Sequence, residues 1–202
     1  MRANKVVTAA HCVDGATAGK LTVKWGGLDR SHLPRQSAVT KLNIHEGWNP
    51  KTLANDVAVL TLADRASETG TVRFAHLATE DPALGTLAQA TGWGAIHPGG
   101  PLARMLHTVP LPVTTHAACS AAYASRDQDS TPQDPRPVLT DGMLCAGYPE
   151  GGKGICRGDA GGPLAVNGKV VGIASWERGC GQANSPSVFT SVAHYRSWIS
   201  SQ

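Results

Sequence analysis

Three stretches of the sequence carry residue types that can take part in proton transfer. His11 follows two alanines at the end of an apolar run, and Asp56 stands at the mouth of a second apolar run. A histidine can act as a general base, and a carboxylate can orient its ring. The third stretch, residues 158–164, is rich in glycine, which adopts backbone conformations closed to other residues. Taken singly, the histidine is more typical of an ordinary surface residue, and the aspartate can be a turn cap.

Taken together, the three stretches resemble a known enzyme family. The segments that carry the resemblance are residues 8–12, 55–62 and 158–164. In this order they are similar to the general-base, acid and nucleophile segments of the chymotrypsin-like and trypsin-like serine peptidases, the S1 family. The resemblance implies that His11 is the general base and that Asp56 accepts its imidazole N–H. It also implies an oxyanion hole formed by the backbone N–H groups of Gly158 and Ala160.

The nucleophile position of this family holds an alanine here. Where the family has serine the chain has Ala160, whose methyl group cannot attack a carbonyl. Active members also insert a cleaved N-terminal amine beside the aspartate that matches Asp159, and the sequence shows no such N-terminus. We therefore predict a serine endopeptidase homologue that is catalytically inactive, with Asp159 left to solvent or to basic side chains. Two hypotheses stay open: a secreted endopeptidase whose sequence here is truncated or carries a serine-to-alanine change, and a natural pseudoprotease that binds peptides or proteins.

The same resemblance assigns residues to a substrate pocket: Leu53, Gly154, Ile155, Ser175, Trp176, Glu177 and Ser187. Trypsin-like members carry an aspartate at the pocket base, where this chain has Gly154, so we do not expect specificity for arginine or lysine. Glu177 and Ser187 replace the family's usual wall glycines, which predicts a shallow cavity suited to small or medium aliphatic side chains. Glu177 itself is either a solvated loop charge or a determinant of partner choice.

The composition predicts the kind of fold that positions these residues. With 202 residues, of which 41% are hydrophobic, the chain can bury a sizeable core. Its 23 glycines and 13 prolines are spread along the sequence, which favours short strands and tight turns in an all-β sandwich or barrel. The net charge of +3 is small and scattered. Neither a nucleic acid nor a membrane is therefore predicted as a partner.

The family resemblance implies an all-β, two-barrel chymotrypsin-like fold with a short C-terminal helix. We assign residues 1–80 to a first barrel that carries His11 and Asp56. Residues 81–202 form the second barrel, with the glycine-rich loop, the pocket and the helix. No oligomeric state is indicated.

Hydrophobic patterns give the element ranges within these barrels. His45 is interpreted as structural, because Gly47 and Pro50 exclude the metal-binding helix that a histidine–glutamate pair can indicate. The predicted elements are strands at residues 21–26, 38–44, 55–62, 88–94 and 106–113, helices at 114–123 and 192–200, and a polar loop at 125–137.

The five cysteines fit an oxidised framework better than a metal site. No Cys-x-x-Cys occurs and the eight histidines show no ligand spacing, so we predict neither a metal nor a cofactor. Disulfides persist in oxidising compartments, which favours a secreted protein. Residues 1–7 contain no apolar stretch of signal-peptide length.

The resemblance implies partners for four of these cysteines. Cys119 matches a cysteine that bridges to Cys145, and Cys156 and Cys180 match the disulfide that closes the specificity pocket. Cys12 is left unpaired, because its family partner lies in a strand upstream of residue 1. We therefore expect an N-terminally truncated first barrel that is incomplete at its N-terminal edge.

Overall fold

The computed structural model describes residues 3–124 and 139–202, which form two β-sheets and two short α-helices. The strands are β1 (Lys5–Thr8), β2 (Thr22–Trp25), β3 (Arg35–Ile44), β4 (Ala58–Leu62), β5 (His76–Leu77), β6 (Leu87–Gly92), β7 (His107–Thr114), β8 (Met143–Ala146), β9 (Pro163–Val166), β10 (Lys169–Trp176) and β11 (Ser187–Ser191). The helices are α1 (His116–Ala124) and α2 (Val192–Ser201), and short 3₁₀ segments cover Ala10–Cys12 and Ala18–Lys20. The predicted all-β class with a short C-terminal helix is confirmed. The polar loop predicted at residues 125–137 lies outside the described residues.

The first sheet is a half-barrel of four antiparallel strands in the order β1-β4-β3-β2. Strand β4 lies in its interior and is almost entirely buried, which explains its continuous apolar sequence. Val39, Leu60 and Leu62 pack in the core of this half. Within the described ranges, β1 and β2 each pair with one neighbour, so the sheet stays open and agrees with the predicted incomplete first barrel.

The second sheet closes into a barrel. Six strands follow in the order β11-β8-β7-β6-β9-β10, and β10 pairs again with β11. Phe189, Leu111 and Leu164 are completely buried in its core. Strand β5 adds to this sheet in parallel with β10. Strand β5 precedes residue 80, so part of the segment assigned to the first barrel joins the second sheet. The domain boundary at residue 80 stays a prediction.

Strand β3 is longer than the sequence pattern indicated. It begins at Arg35 rather than at residue 38. Arg35 and Gln36 are exposed polar residues that pair with Trp25 and Lys24 of β2. An exposed edge pairing needs no apolar alternation, so the pattern could not reveal it.

Helix α1 begins two residues later than predicted, at His116. The hydroxyl of Thr115 accepts a hydrogen bond from the Ala118 N–H at 3.0 Å, which caps the first turn and fixes the start of the helix. Within the described ranges, no helix has the length and apolar character needed to cross a membrane.

Helix α2 packs against both halves of the molecule. Its N-terminus is capped by Ser191, whose hydroxyl accepts a hydrogen bond from the His194 N–H at 3.1 Å. One helix face buries Val192, Tyr195 and Ile199. The buried residues from the rest of the chain in the same cluster are Ala9, Val57, Val59 and Ile173. The helix therefore joins the half-barrel to the closed barrel through a shared apolar core.

Polar contacts tie the same helix to the segment that precedes β4. Tyr195 donates its hydroxyl to Asn55 Oδ1 at 2.9 Å, and Trp198 Nε1 donates to Glu46 Oε2 at 2.8 Å. The His45 ring packs on both aromatic side chains, with centroids 5.3 Å from Tyr195 and 4.9 Å from Trp198. His45 thus has the packing environment of a structural residue.

Candidate active site

His11 and Asp56 lie side by side, although 45 positions separate them in the sequence. The 3₁₀ segment Ala10–Cys12 follows β1 and buries Ala10 while His11 faces Asp56, just before β4. The Asp56 Oδ2 atom accepts a hydrogen bond from His11 Nδ1 at 2.7 Å, and Oδ1 accepts one from the His11 backbone N–H at 2.9 Å. Two bonds from one residue to one carboxylate fix the ring and leave Nε2 for another partner.

Asp56 is buried, with 1% of its surface exposed, and residues of the closed barrel complete its hydrogen bonds. Ser175 in β10 donates its hydroxyl to Oδ2 at 2.5 Å. Thr190 in β11 donates its hydroxyl to the Asp56 carbonyl at 2.8 Å. The sequence assigned Ser175 to the pocket and gave Thr190 no role. These contacts span 119 and 134 positions, so no local pattern could have revealed them.

The Asp56 carboxylate favours the charged form of His11. The hydrogen bond to Asp56, followed by the contact with Cys12 Sγ, raises the pKa of His11 from 6.5 to about 10, although partial burial opposes the change. At neutral pH the imidazolium form is therefore favoured, and both of its ring nitrogens are donors.

This environment predicts that the free energy of unfolding falls as the pH rises from about 6.5 to about 10. In the unfolded chain His11 loses its proton near its ordinary pKa, whereas the folded protein keeps the proton up to about pH 10. The stabilisation is therefore complete below about pH 6.5 and is lost through about pH 10. Urea unfolding across this range should show the wild-type advantage over His11→Gln shrinking as the pH rises. His32→Gln, at an exposed histidine, serves as the control, and an advantage that stays constant with pH would contradict the prediction.

The glycine-rich loop presents backbone N–H groups at Gly158 and Ala160, and neither has an acceptor in the described part of the chain. Gly158 takes a φ of 97°, a conformation that favours glycine. The turn is closed by the Asp159 N–H, which donates to the Cys156 carbonyl at 3.0 Å, and by the Gly162 N–H, which donates to the Asp159 carbonyl at 2.9 Å. Amide pairs without acceptors can bind an oxyanion, and that role for this pair stays a prediction.

The glycine-rich loop lies directly against the segment that holds His11. A Cβ atom added at Gly161 would collide with the Thr8 hydroxyl and would lie 3.4 Å from Cys12 Sγ. This close approach depends on glycine, and it places the residue after Ala160 against the turn that carries His11.

Backbone amides hold the carboxylate of Asp159. The Gly94 N–H donates to Oδ1 at 2.8 Å, and the Cys156 N–H donates to Oδ2 at 2.9 Å. From the sequence we expected solvent or a basic side chain as the partner of this carboxylate, whereas its partners in the described ranges are these two amides. A cavity of about 200 Å³ adjoins the carboxylate, and Gly154 and Ile155 line another part of it.

Three of the predicted pocket residues come together at the expected base of the pocket. The Ile155 N–H donates to Ser187 Oγ at 3.0 Å. A Cβ atom added at Gly154 would lie 2.9 Å from the Gly181 Cα and 3.2 Å from Ser187 Oγ. The base is therefore closely packed, and the Ser187 hydroxyl is already engaged by the Ile155 amide.

Two further pocket residues share an apolar cluster. Trp176 is buried and contacts the Tyr123 ring with centroids 4.7 Å apart. Leu53 packs on the same cluster. It takes a φ of 55°, which is uncommon for a residue other than glycine and places its backbone in the left-handed region. Ser175, the residue before Trp176, is turned instead toward Asp56.

Glu177 is half-buried and lies within electrostatic reach of the groups on both sides of the cleft. Burial raises the pKa of its carboxyl group, the charge of Asp159 raises it further, and the charge of His11 lowers it. A fully solvated charge would not feel these neighbours. A role for Glu177 in choosing partners stays a prediction.

Two disulfides join the elements around the site. Cys119 of α1 pairs with Cys145 of β8, and Cys156 before the glycine-rich loop pairs with Cys180 after β10. Both are the pairs that the resemblance implied, and Cys12 is free and exposed. Among the described residues, no group of three or more His, Cys, Asp or Glu side chains is placed to hold a metal ion.

The sequence of this chain is similar to those of known proteins over nearly its whole length. The family model described as Trypsin matches residues 1–199. The chain is 36% identical to Trypsin eta of Drosophila melanogaster, across 98% of this chain and 72% of that protein. It is 37% identical to Trypsin of Sarcophaga bullata, across 96% of this chain and 73% of that protein. Identity to Trypsin Blo t 3 of Blomia tropicalis is 35%, across 97% of this chain and 72% of that protein.

Proposed function

Because the chain belongs to the trypsin family of serine proteases, we propose that it is a non-catalytic member that binds peptide or protein segments in its cleft. The observation that carries the proposal is Ala160, in the glycine-rich loop where the family has serine. A methyl group can neither pass a proton to His11 nor attack a carbonyl carbon, and no neighbouring charge can change that.

Binding in the cleft does not need the serine hydroxyl. The N–H groups of Gly158 and Ala160 are without acceptors among the described residues, so they can donate to a ligand carbonyl. Half-buried Glu177 adds a charge that a ligand must accommodate. Both disulfides favour an oxidising compartment, so we place the protein outside the cell.

A second candidate function is a secreted endopeptidase in which the gene encodes serine at position 160. The intact pair of His11 and Asp56, with Nδ1 and Oδ2 at 2.7 Å, supports it, because peptide binding alone does not require a general base. The genomic codon for residue 160 separates the two candidates. A serine codon supports the endopeptidase, and an alanine codon supports the binding protein.

The pocket favours aliphatic ligands in either case. Its predicted base holds Gly154 where an aspartate would attract arginine or lysine, and the space beside it is narrowed by Ser187 and Gly181. A long basic side chain would therefore meet backbone atoms instead of a counter-charge. Small or medium aliphatic side chains suit this site best.

We expect a valine peptide to bind about ten-fold more tightly than a matched arginine peptide, and neither peptide to be cleaved. The peptides differ only at the residue that enters the pocket and carry no reactive group, since covalent warheads need the serine. Calorimetry measures binding, and mass spectrometry of the same samples measures cleavage. Loss of the nucleophile lowered turnover about a million-fold in another serine protease, so no product is expected.

Matched variants separate the parts of this proposal. Glu177→Gln should leave the valine peptide bound, because it removes the charge and keeps the size of the side chain. Tighter binding of the arginine peptide would overturn the pocket assignment and, if Glu177→Gln reversed the preference, would identify Glu177 as the cause. Cleavage of either peptide, or specific labelling by a fluorophosphonate, would overturn the non-catalytic function itself.

A further inference from the structure

Asn55 directly precedes Asp56, and its backbone takes an uncommon conformation. Its φ is 57°, in the left-handed region, which asparagine tolerates better than most residues other than glycine. The Val57 N–H donates to the Asn55 carbonyl at 2.8 Å, so the chain turns sharply around Asp56. This turn sets the direction in which the Asp56 side chain leaves the backbone. Neither of the candidate functions above gives Asn55 a role.

Both polar atoms of the Asn55 side chain are held by other segments of the chain. Its Nδ2 atom donates to the Gly47 carbonyl at 2.7 Å, and its Oδ1 atom accepts from the Tyr195 hydroxyl at 2.9 Å. Gly47 lies in the turn after β3, and Tyr195 lies in α2. The side chain cannot rotate without breaking one of these hydrogen bonds. The two bonds therefore hold Asn55 in a backbone conformation that persists only where its surroundings fix it.

The two partners of Asn55 are themselves held in place. The Gly47 N–H donates to His45 Nδ1 at 3.1 Å, and the His45 ring packs on that of Tyr195. A Cβ atom added at Gly142 would collide with the Tyr195 hydroxyl, so the backbone at Gly142 packs closely on this group. The Tyr195 hydroxyl therefore has little freedom to leave Asn55.

These contacts lie close to the carboxylate that faces His11. Burial raises the pKa of the Tyr195 hydroxyl, and the charge of Asp56 raises it further. The Asp56 Oδ2 atom lies 2.7 Å from His11 Nδ1, a distance at which a small displacement matters because hydrogen bonds weaken as they lengthen and bend. A shift of the backbone between Asn55 and Asp56 would therefore weaken the contact with the His11 ring.

We propose that Asn55 is a positioning residue, which aims the Asp56 carboxylate at His11 and is itself held by the Tyr195 hydroxyl. Its effect reaches His11 through Asp56. The last helix thereby helps to set the geometry of the cleft, although it contributes no residue to the pair. The proposal concerns the folded chain alone, so it requires neither peptide binding nor peptide cleavage.

The test is the pKa of His11, measured by NMR titration of its ring protons in the folded protein without a ligand. Among the described residues, the ring is faced by Asp56, by Cys12 Sγ and, at longer range, by Glu177. The variants used here change none of these groups. We expect a pKa of about 10 for wild-type His11. In Asn55→Ala it should be about one to two pH units lower, because a weakened contact stabilises the imidazolium less.

Matched variants separate the side chain of Asn55 from its backbone conformation. Asn55→Gly removes the amide but keeps a residue that accepts a positive φ, and it should also lower the pKa of His11. Tyr195→Phe removes one hydroxyl and keeps the ring, so a smaller decrease is expected. The control is Asn184→Ala, at an asparagine with a φ of 53°, which should leave the pKa of His11 unchanged.

Three results would overturn the proposal. The first is a His11 pKa that stays at the wild-type value in folded Asn55→Gly and Tyr195→Phe, because the two contacts would then serve stability alone. The second is a wild-type pKa near 6.5, since Asp56 would then not be aimed at His11. The third is an equal decrease in Asn184→Ala. Tyr195→Phe changes a single polar atom, so the comparison holds even if the alanine variant of Asn55 does not fold.

Discussion

Asp56→Ala lowers the free energy of unfolding by about 3–5 kcal/mol, because it removes one member of a buried, charge-assisted network. The wild-type carboxylate accepts hydrogen bonds from the His11 backbone, the His11 ring and the Ser175 hydroxyl. Alanine would leave these donors without an acceptor at a site where only 1% of the residue surface is exposed. Chemical denaturation of both proteins at neutral pH measures the expected loss.

Two further substitutions test the reason for that loss. Asp56→Asn keeps the volume and one acceptor oxygen, so a smaller loss is expected than for alanine. Asp14→Ala removes an exposed carboxylate and should cost less than about 1 kcal/mol. If Asp56→Ala and Asp14→Ala were equally stable, the carboxylate would not be holding the two halves of the cleft together.

Gly94→Ala is expected to cost about 2–3 kcal/mol, because the added methyl group has no space. A Cβ atom at this position would lie 2.5 Å from each carboxylate oxygen of Asp159. The carboxylate would have to move, and it would then lose the N–H groups of Gly94 and Cys156 that now hold it. Thermal unfolding measures the change, and a shifted loop should weaken peptide binding as well.

The control for this prediction is Gly19→Ala, because a Cβ atom there would meet nothing within 4 Å. Asp159→Ala completes a double-mutant cycle with Gly94→Ala. If the collision with the carboxylate is the cause, the double variant should be more stable than the sum of the two single losses predicts. Additive losses would show that Gly94 is required for some other reason.

Many of the strands and helices could be predicted from local sequence patterns. The apolar run before Leu62 marked a buried strand, and the C-terminal apolar face marked a helix from residue 192 that ends at Ser201 rather than at residue 200. Such elements are visible because burial imposes a period on the side chains. The start of β3 was missed because Arg35 and Gln36 pair at an exposed edge and carry no apolar signal.

The candidate site could be predicted only in part from the sequence, because several of its contacts join residues that are far apart in the chain. Residue types and their order singled out His11 and Asp56, and the structure brings their side chains into contact. The partners of Asp56 in the closed barrel and the amides that hold Asp159 depend on how distant strands meet. The contact of Cys12 Sγ with His11 Nε2 depends on a side-chain orientation that no pattern encodes.

The contact of α2 with the segment before β4 limits the order in which parts of the protein can fold during translation. Tyr195 and Asn55 are 140 positions apart, so the residue next to Asp56 is synthesised long before its partner. At ordinary translation speeds this delay is on the order of ten seconds. During that time the nascent half-barrel carries Asp56 without Ser175, Thr190 or the last helix. The cleft can therefore form only after Tyr195 has been synthesised, and the strands β1 to β4 stay available to chaperones and proteases until then.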